Sequence, residues 1–225
     1  MVLLADAVVG GGEADPGPLL PASWVEVQAE VQGQGEGERA AVDLSGLWEK
    51  DNARSQVQEY EAMLQLLGLG GLQRMTARLI DGLDISQTPE GFSVAFVTVV
   101  PFFRVKEVTP WGQRVQLSRR DLRRGKQWAQ AEPVAGGVRV EHLWGEPRPG
   151  QLTEAYTLTT SPQARAAGFD EMTVASSLTV GDKKAAVVQV YRRSGKTRDE
   201  LLRESRQRNT SLDAVLQRQK QEYGS

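Results

Sequence analysis

Four polar side chains stand where strand geometry would gather them on one wall. They are Arg119, His142, Gln189 and Tyr191. Apolar and polar residues alternate through Arg114–Arg119 and through Val138–Trp144, and alternation of the same kind sets Val187, Gln189 and Tyr191 on a common face. Successive side chains on a strand point to opposite sides of the sheet. Val115 and Leu117 therefore share a face with Arg119, and Val138, Val140 and Trp144 share one with His142. Turned inward, these faces make an apolar wall with a few polar points, the pattern of a small-molecule pocket. Arginine offers a charged, bidentate donor, glutamine a neutral donor and acceptor, and tyrosine a hydroxyl. The chemistry expected is the orientation of the polar end of a hydrophobic molecule, with Phe96 and Trp144 adding apolar contact.

A second group of residues suggests contact with something larger. Arg119, Arg120, Arg123, Arg124 and Lys126 crowd one predicted hairpin, offset in part by Asp121. Such a cluster suits anionic lipid headgroups, hence a peripheral membrane contact, or an acidic protein surface. It is too short, in a chain of net charge −2, to read as a nucleic-acid footprint. Catalysis is not expected. The 225 residues contain no cysteine and a single histidine, so thiol nucleophiles, disulfides, thiolate metal sites and imidazole clusters are all excluded. His142 as a general base would need a nucleophile and an orienting acid, and neither G-x-S-x-G nor H-E-x-x-H occurs. No metal or cofactor is expected. No apolar run approaches the roughly 18–20 residues that span a bilayer. Met1–Gly12 has no basic flank and no arginine, so it resembles neither a secretory signal nor a transit peptide as it stands.

The elements that must position these residues follow from periodicity. Residues 1–40 read as an N-terminal extension of Gly, Pro, Ala and acids, with one alternating stretch at Trp24–Val31. The domain spans 41–194. Val57, Tyr60, Met63, Leu64 and Leu67 form one helical face over 53–67, ended by Gly68, and Leu72, Met75, Leu79 and Ile80 repeat the pattern over 72–80. Turn signals then recur, beginning with Thr88-Pro89-Glu90-Gly91 and Thr109-Pro110-Trp111-Gly112, with strand-like segments of about seven to ten residues among them, which is the pattern of an all-β barrel or sandwich. Pro162–Gly168 reads as a polar loop. Thr197-x-x-Glu200 is a capping box that opens a C-terminal helical tail, 195–225, with Leu201, Leu202, Leu212, Val215 and Leu216 as its apolar anchors.

In this order the chain resembles the intracellular lipid-binding proteins, the fatty-acid-binding family within the calycins. Gly46-x-Trp48 on a first strand carries the likeness, as do Tyr60-Glu61-Ala62-Met63-Leu64 leading into a helix–turn–helix, Glu107-Val108-Thr109 before a turn, and Gln189-Val190-Tyr191 on the last strand. It runs from Leu44 to Arg193. The resemblance implies a lumen in which members holding fatty acids use arginines and a tyrosine as a carboxylate clamp. Here Gln189 stands in place of the last-strand arginine, Ala155-Tyr156 offers no second one, and only Tyr191 carries over. The chain departs from that family's pattern in about four extra residues between Trp48 and the first helix, a missing strand between 100 and 110, and an added one over 170–180. Leu44–Asp51 and Arg119–Arg123 are similar as well to calycin-like plastid proteins of plants and algae, which implies the chloroplast stroma or thylakoid surface, or otherwise the cytoplasm.

The fold expected is all-β with minor α: a closed, antiparallel, up-and-down barrel of eight to ten strands, with a helix–turn–helix lid over 53–80 and a C-terminal helical arm. The function expected is non-catalytic binding of a hydrophobic small molecule such as a lipid, pigment or terpenoid. The alternative is an accessory or assembly factor docking on a larger, thylakoid-type complex through its two extensions and the arginine hairpin.

Overall fold

The computed structural model describes residues 42–101, 103–121, 123–146, 148–159, 168 and 170–209. Among the described residues, ten strands and three helices follow one another. β1 (Gly46–Lys50) leads to α1 (Val57–Leu66) and α2 (Gly71–Arg78). Then come β2 (Ile80–Thr88), β3 (Gly91–Thr98), β4 (Lys106–Pro110), β5 (Val115–Ser118), β6 (Lys126–Val134), β7 (Gly137–Trp144), β8 (Gly150–Thr159), β9 (Glu171–Val180), β10 (Lys183–Arg193) and finally α3 (Arg198–Arg208). All ten strands belong to one antiparallel sheet, in the order β4-β3-β2-β1-β10-β9-β8-β7-β6-β5. Each strand thus lies beside its neighbours in sequence, and β10 returns to pair with β1, Trp48 opposite Arg193. The sheet wraps into a nearly closed barrel. Its one seam falls between β4 and β5, where the short β5 pairs only with β6. Across that seam Trp111 bridges to Ala131, and the Gly112 N–H donates to the Ala131 carbonyl at 2.9 Å.

Alternation explains which way the walls face. Along β7, Val138, Val140, His142 and Trp144 are buried while Arg139, Glu141 and Leu143 are less so. Along β9, Met172, Val174, Ser176 and Leu178 point inward. β4 inverts the usual pattern, with Glu107 buried and Val108 half exposed. The stretch between 100 and 110 therefore contains a strand after all. Its inward face is polar, so it lacks the apolar alternation by which strands are recognised. Trp48 is fully buried in the main core with Leu44, Ile85 and Phe92, and its indole Nε1–H donates to the Leu44 carbonyl at 2.8 Å.

The two helices cover the lumen as a lid. α1 starts at Val57 rather than 53, because the preceding residues extend the β1–β10 pairing. Asp51 N–H donates to the Val190 carbonyl at 2.8 Å, Gln56 N–H to the Val188 carbonyl at 3.0 Å, and Val190 N–H to Ser55 Oγ at 3.0 Å. The extra residues are thus a turn, closed by Ser55 N–H donating to the Asp51 carbonyl at 3.0 Å, whose two ends are tied to β10. Met63 and Leu64 are the buried pair of α1, while Val57, expected on the same face, is half exposed, as is Leu72 on α2. Gly68, at φ +75°, turns the chain between the helices in a conformation that a side chain would strain. The Gln73 side chain caps α2 by accepting from Gly70 N–H at 2.9 Å. Glu61 of α1 faces Arg74 of α2 at 3.3 Å.

α3 is capped as its sequence requires, with Thr197 Oγ1 accepting from Glu200 N–H and Glu200 Oε2 accepting from Thr197 N–H at 2.7 Å. It lies against β2 and β3. Leu201 and Ser205 are fully buried there, and Ser205 donates to Asp81. Arg198 adds an ion pair to Asp84 at 3.2 Å. This helix is thus part of the barrel's outer packing, not a free arm. The Trp24–Val31 segment, nearly all of Pro162–Gly168, and Leu212, Val215 and Leu216 lie outside the described residues.

Candidate functional site

Beneath α1 and α2 the lumen holds a cavity of about 110 Å³. One water takes up roughly 10–15 Å³ of such space, so this is far more than a packing defect. Its wall is mainly apolar, with Met63 and Leu64 from the lid, Ile80 and Leu83 from β2, Phe96 from β3 and Val174 from β9. The polar residues lining it are Tyr60, Gln73 and Thr76 of the lid, Arg120, Asp121, Glu154, Tyr156, Ser176, Gln189 and Tyr191. Strand geometry delivers most of them. Glu154 and Tyr156 are two residues apart on β8 and face the same way, as do Gln189 and Tyr191 on β10. Arg120 comes from the loop after β5.

Arg120 is the hub of a buried polar cluster. Its guanidinium donates to Glu154 Oε2 at 2.7 Å and lies 3.7 Å from Glu107 Oε2. It also lies 5.5 Å from the centre of the Phe96 ring, a cation–π distance. Tyr156 donates its hydroxyl to the same Glu154 oxygen at 3.1 Å. Gln127 Nε2 donates to Glu107 Oε1 at 2.8 Å and lies 3.3 Å from His142 Nδ1. An amide nitrogen can only donate, so Nδ1 is the acceptor in that contact and Nε2 is the ring nitrogen left to donate. That nitrogen faces Glu154 Oε2 at 3.5 Å and Glu107 Oε2 at 4.0 Å. Nearby, Tyr191 donates to Gln189 Oε1 at 3.4 Å.

The electrostatics follow from burial set against pairing. Burial by itself would lower the Arg120 pKa, but Glu107 and Glu154 beside it outweigh that and raise it well above the ordinary value. Burial would likewise raise Glu154, but Arg120 and then His142 hold it well below the usual carboxylate range. Burial pushes Tyr60 up to about 12, and carries Tyr156 and Tyr191 well above the ordinary phenol value. Asp121 lies at about 2, because its bonds to Arg119 and Arg123 outweigh the effect of burial. The cluster thus sets one guanidinium between the carboxyl groups of Glu107 and Glu154, with the Tyr156 hydroxyl and the Gln127 amide as further donors.

The structure gathers some of the residues expected from the sequence and separates others. Phe96, Gln189 and Tyr191 line the cavity. His142 faces inward and is buried, but it acts as a member of the polar cluster and does not line the open space. Trp144 also faces inward but packs in a second core with Met63, Leu152, Leu178 and Val187, its Nε1–H donating to the Arg148 carbonyl. Arg119 is a correction. β5 ends at Ser118, so alternation no longer governs position 119. The side chain instead binds Asp121 Oδ2 at 2.6 Å and stacks 4.7 Å over Trp144. Arg120, assigned to the outside, is the lumen cation. The arginine hairpin is corrected with it. Arg119 and Arg123 share Asp121 and Arg120 is mostly buried, which leaves Arg124 and Lys126 as the exposed cations of the five. Glu107, Gln127, Glu154 and Tyr156 were missed. The signal for Glu154 was present, since it stands between Leu152 and Tyr156 on the buried face of an alternating strand.

The up-and-down order of ten strands, with a helix–turn–helix between the first and second, decides the fold. It is that of the fatty-acid-binding-protein-like barrels. Among solved structures the chain is similar to a REP1-NXSQ fatty acid transporter, at 17% identity over 69% of this chain and 98% of that one, with a TM-score of 0.49. It is also similar to a Schistosoma mansoni fatty acid binding protein in complex with arachidonic acid, at 12% identity over 70% and 100% of the two chains and a TM-score of 0.49. A third is human cRBP IV, at 15% identity over 68% and 99% and a TM-score of 0.47. No protein-family model matches the chain, and no curated protein matches it in sequence.

Proposed function

We propose that this protein is a non-catalytic binding protein for a hydrophobic small molecule held in the barrel lumen. The observation that carries the reading is the lidded cavity itself, apolar on most of its wall and polar where Arg120, Glu154, Tyr156, Gln189 and Tyr191 converge. Apolar surface leaving water on entry would supply the affinity, at about 25 cal/mol per Å² buried, and the polar groups would fix orientation. Docking on a larger complex rests on residues 1–40 and 210–225, which lie outside the described residues, on a C-terminal helix packed on the barrel, and on an arginine hairpin that is largely paired internally.

Titration of the purified protein with Nile red, a neutral apolar dye, tests the reading. One saturable site is expected. Ser176→Phe, which puts a ring into the cavity, should abolish the signal while circular dichroism stays that of a folded barrel. No saturable signal in the parent, or equal binding in a folded Ser176→Phe variant, would overturn it.

A further inference from the structure

Charge at the polar end of the cavity narrows the class of ligand. Among the described residues lining the space, the charged ones are Arg120, Asp121 and Glu154. Asp121 is engaged by Arg119 and Arg123 at 2.6 Å each. Arg120 is engaged by Glu154 at 2.7 Å, with Glu107 at 3.7 Å behind it. An incoming carboxylate would therefore meet no free cation. It would have to share Arg120 with two carboxylates in a poorly solvated site, and like charges at such distances repel strongly. An incoming ammonium would have to draw Glu154 away from Arg120. An uncharged hydroxyl or carbonyl meets neither obstacle, because the neutral groups of Gln189, Tyr191, Tyr60 and Ser176 line the same space.

Resting on the lumen reading above, we infer that the site takes a neutral apolar ligand with a hydroxyl or carbonyl head and discriminates against the carboxylate of the same carbon skeleton. Glu154 is the specificity-determining residue. It neutralises the one lumen arginine from within and adds the repulsion that an anion meets. Glu107 supports it from the second side of the guanidinium.

Displacement of bound Nile red by oleyl alcohol and by oleate at neutral pH reads the discrimination directly, since the two differ only in the head. The alcohol should displace the dye at a concentration at least about tenfold lower than oleate, a modest fraction of what unscreened repulsion at these distances allows. Glu154→Gln keeps shape and hydrogen bonding but removes one charge. It should lower the ratio of the oleate to the alcohol displacement concentration by a factor of about three or more. Glu107→Gln should act in the same direction more weakly, and serves if the first variant does not fold. Oleate equal to or better than the alcohol in the parent protein overturns the inference, as does an unchanged ratio in a folded Glu154→Gln or Glu107→Gln. Dye that binds but yields to neither lipid overturns this assignment and leaves the cavity as a site. Dye that does not bind at all overturns the lumen reading beneath it.

Discussion

Replacing Arg120 by methionine should reverse the way stability depends on pH. In the native protein the Glu154 pKa is depressed, because Arg120 and His142 outweigh burial. A depressed carboxylate contributes stability that is fully present above its unfolded value, 4.5, and is lost as pH falls through the folded one. Between pH 5 and 8 its contribution is therefore flat. In Arg120→Met the stem of the side chain still packs near Phe96, but Glu154 and Glu107 lose their common cation. Burial then dominates and raises the folded pKa above the unfolded value. Such a group contributes below the unfolded pKa, and its contribution is lost as pH rises through the raised folded pKa. Both partners are mostly buried, with side-chain exposures of 17% and 11%. Breaking a pair of this kind costs about 3–5 kcal/mol. At about 2–4 °C per kcal/mol for a domain of this size, the melting temperature near pH 8 should fall by about 6–20 °C. Urea unfolding at pH 5 and pH 8 is the assay. The variant should be the less stable of the two proteins at both pH values and distinctly worse at pH 8, and adding Glu154→Gln should recover much of the loss. A variant within about 1 kcal/mol of the parent at pH 8, or one that gains stability from pH 5 to pH 8, would refute the reasoning.

Three further outcomes test other parts of the structure. Trp48→Phe removes the indole donor to the Leu44 carbonyl from a fully buried site, and should cost about 1–3 kcal/mol in chemical denaturation. Leu201→Ala empties the fully buried contact of α3, and should cost about 2–4 kcal/mol if the helix is integral to the barrel; a loss under about half a kcal/mol would make it a loose arm. Tyr60, Tyr156 and Tyr191 should give no phenolate absorbance up to about pH 11 in a Tyr223→Phe background, because burial raises all three; a phenolate band growing in near pH 10 while the fold persists would place at least one of them in water.

What could be read in advance was what repeats. His142 and Trp144 on β7, and Gln189 and Tyr191 on β10, were placed inward by a two-residue period, and the structure puts them inward. The helical pair, its glycine stop and the capping box of α3 are equally local, since each depends on residues within a turn of one another. What failed lies where the period stops. Arg119 follows the last residue of β5, and one residue's difference at a strand end exchanges lumen for exterior. Val57 lost its buried place because the residues before it had joined β10, a pairing partner more than 130 positions away.

The polar cluster was unreadable for a further reason. Its members lie at 107, 120, 127, 142 and 154, on four strands and a loop, and no spacing in the chain relates them. Each was visible only as a local anomaly: an acid flanked by apolar residues on an inward face, or a strand whose acid points in while its valine points out. Such anomalies are costly in isolation, because a buried carboxylate without a partner shifts its pKa or destabilises the fold. Two of them on a single barrel therefore required a cation between them. Glu107 and Glu154 both face inward on strands well apart in the sheet order. Of the arginines of the hairpin, the one that meets them had to leave the surface, while Arg124 and Lys126 stay exposed.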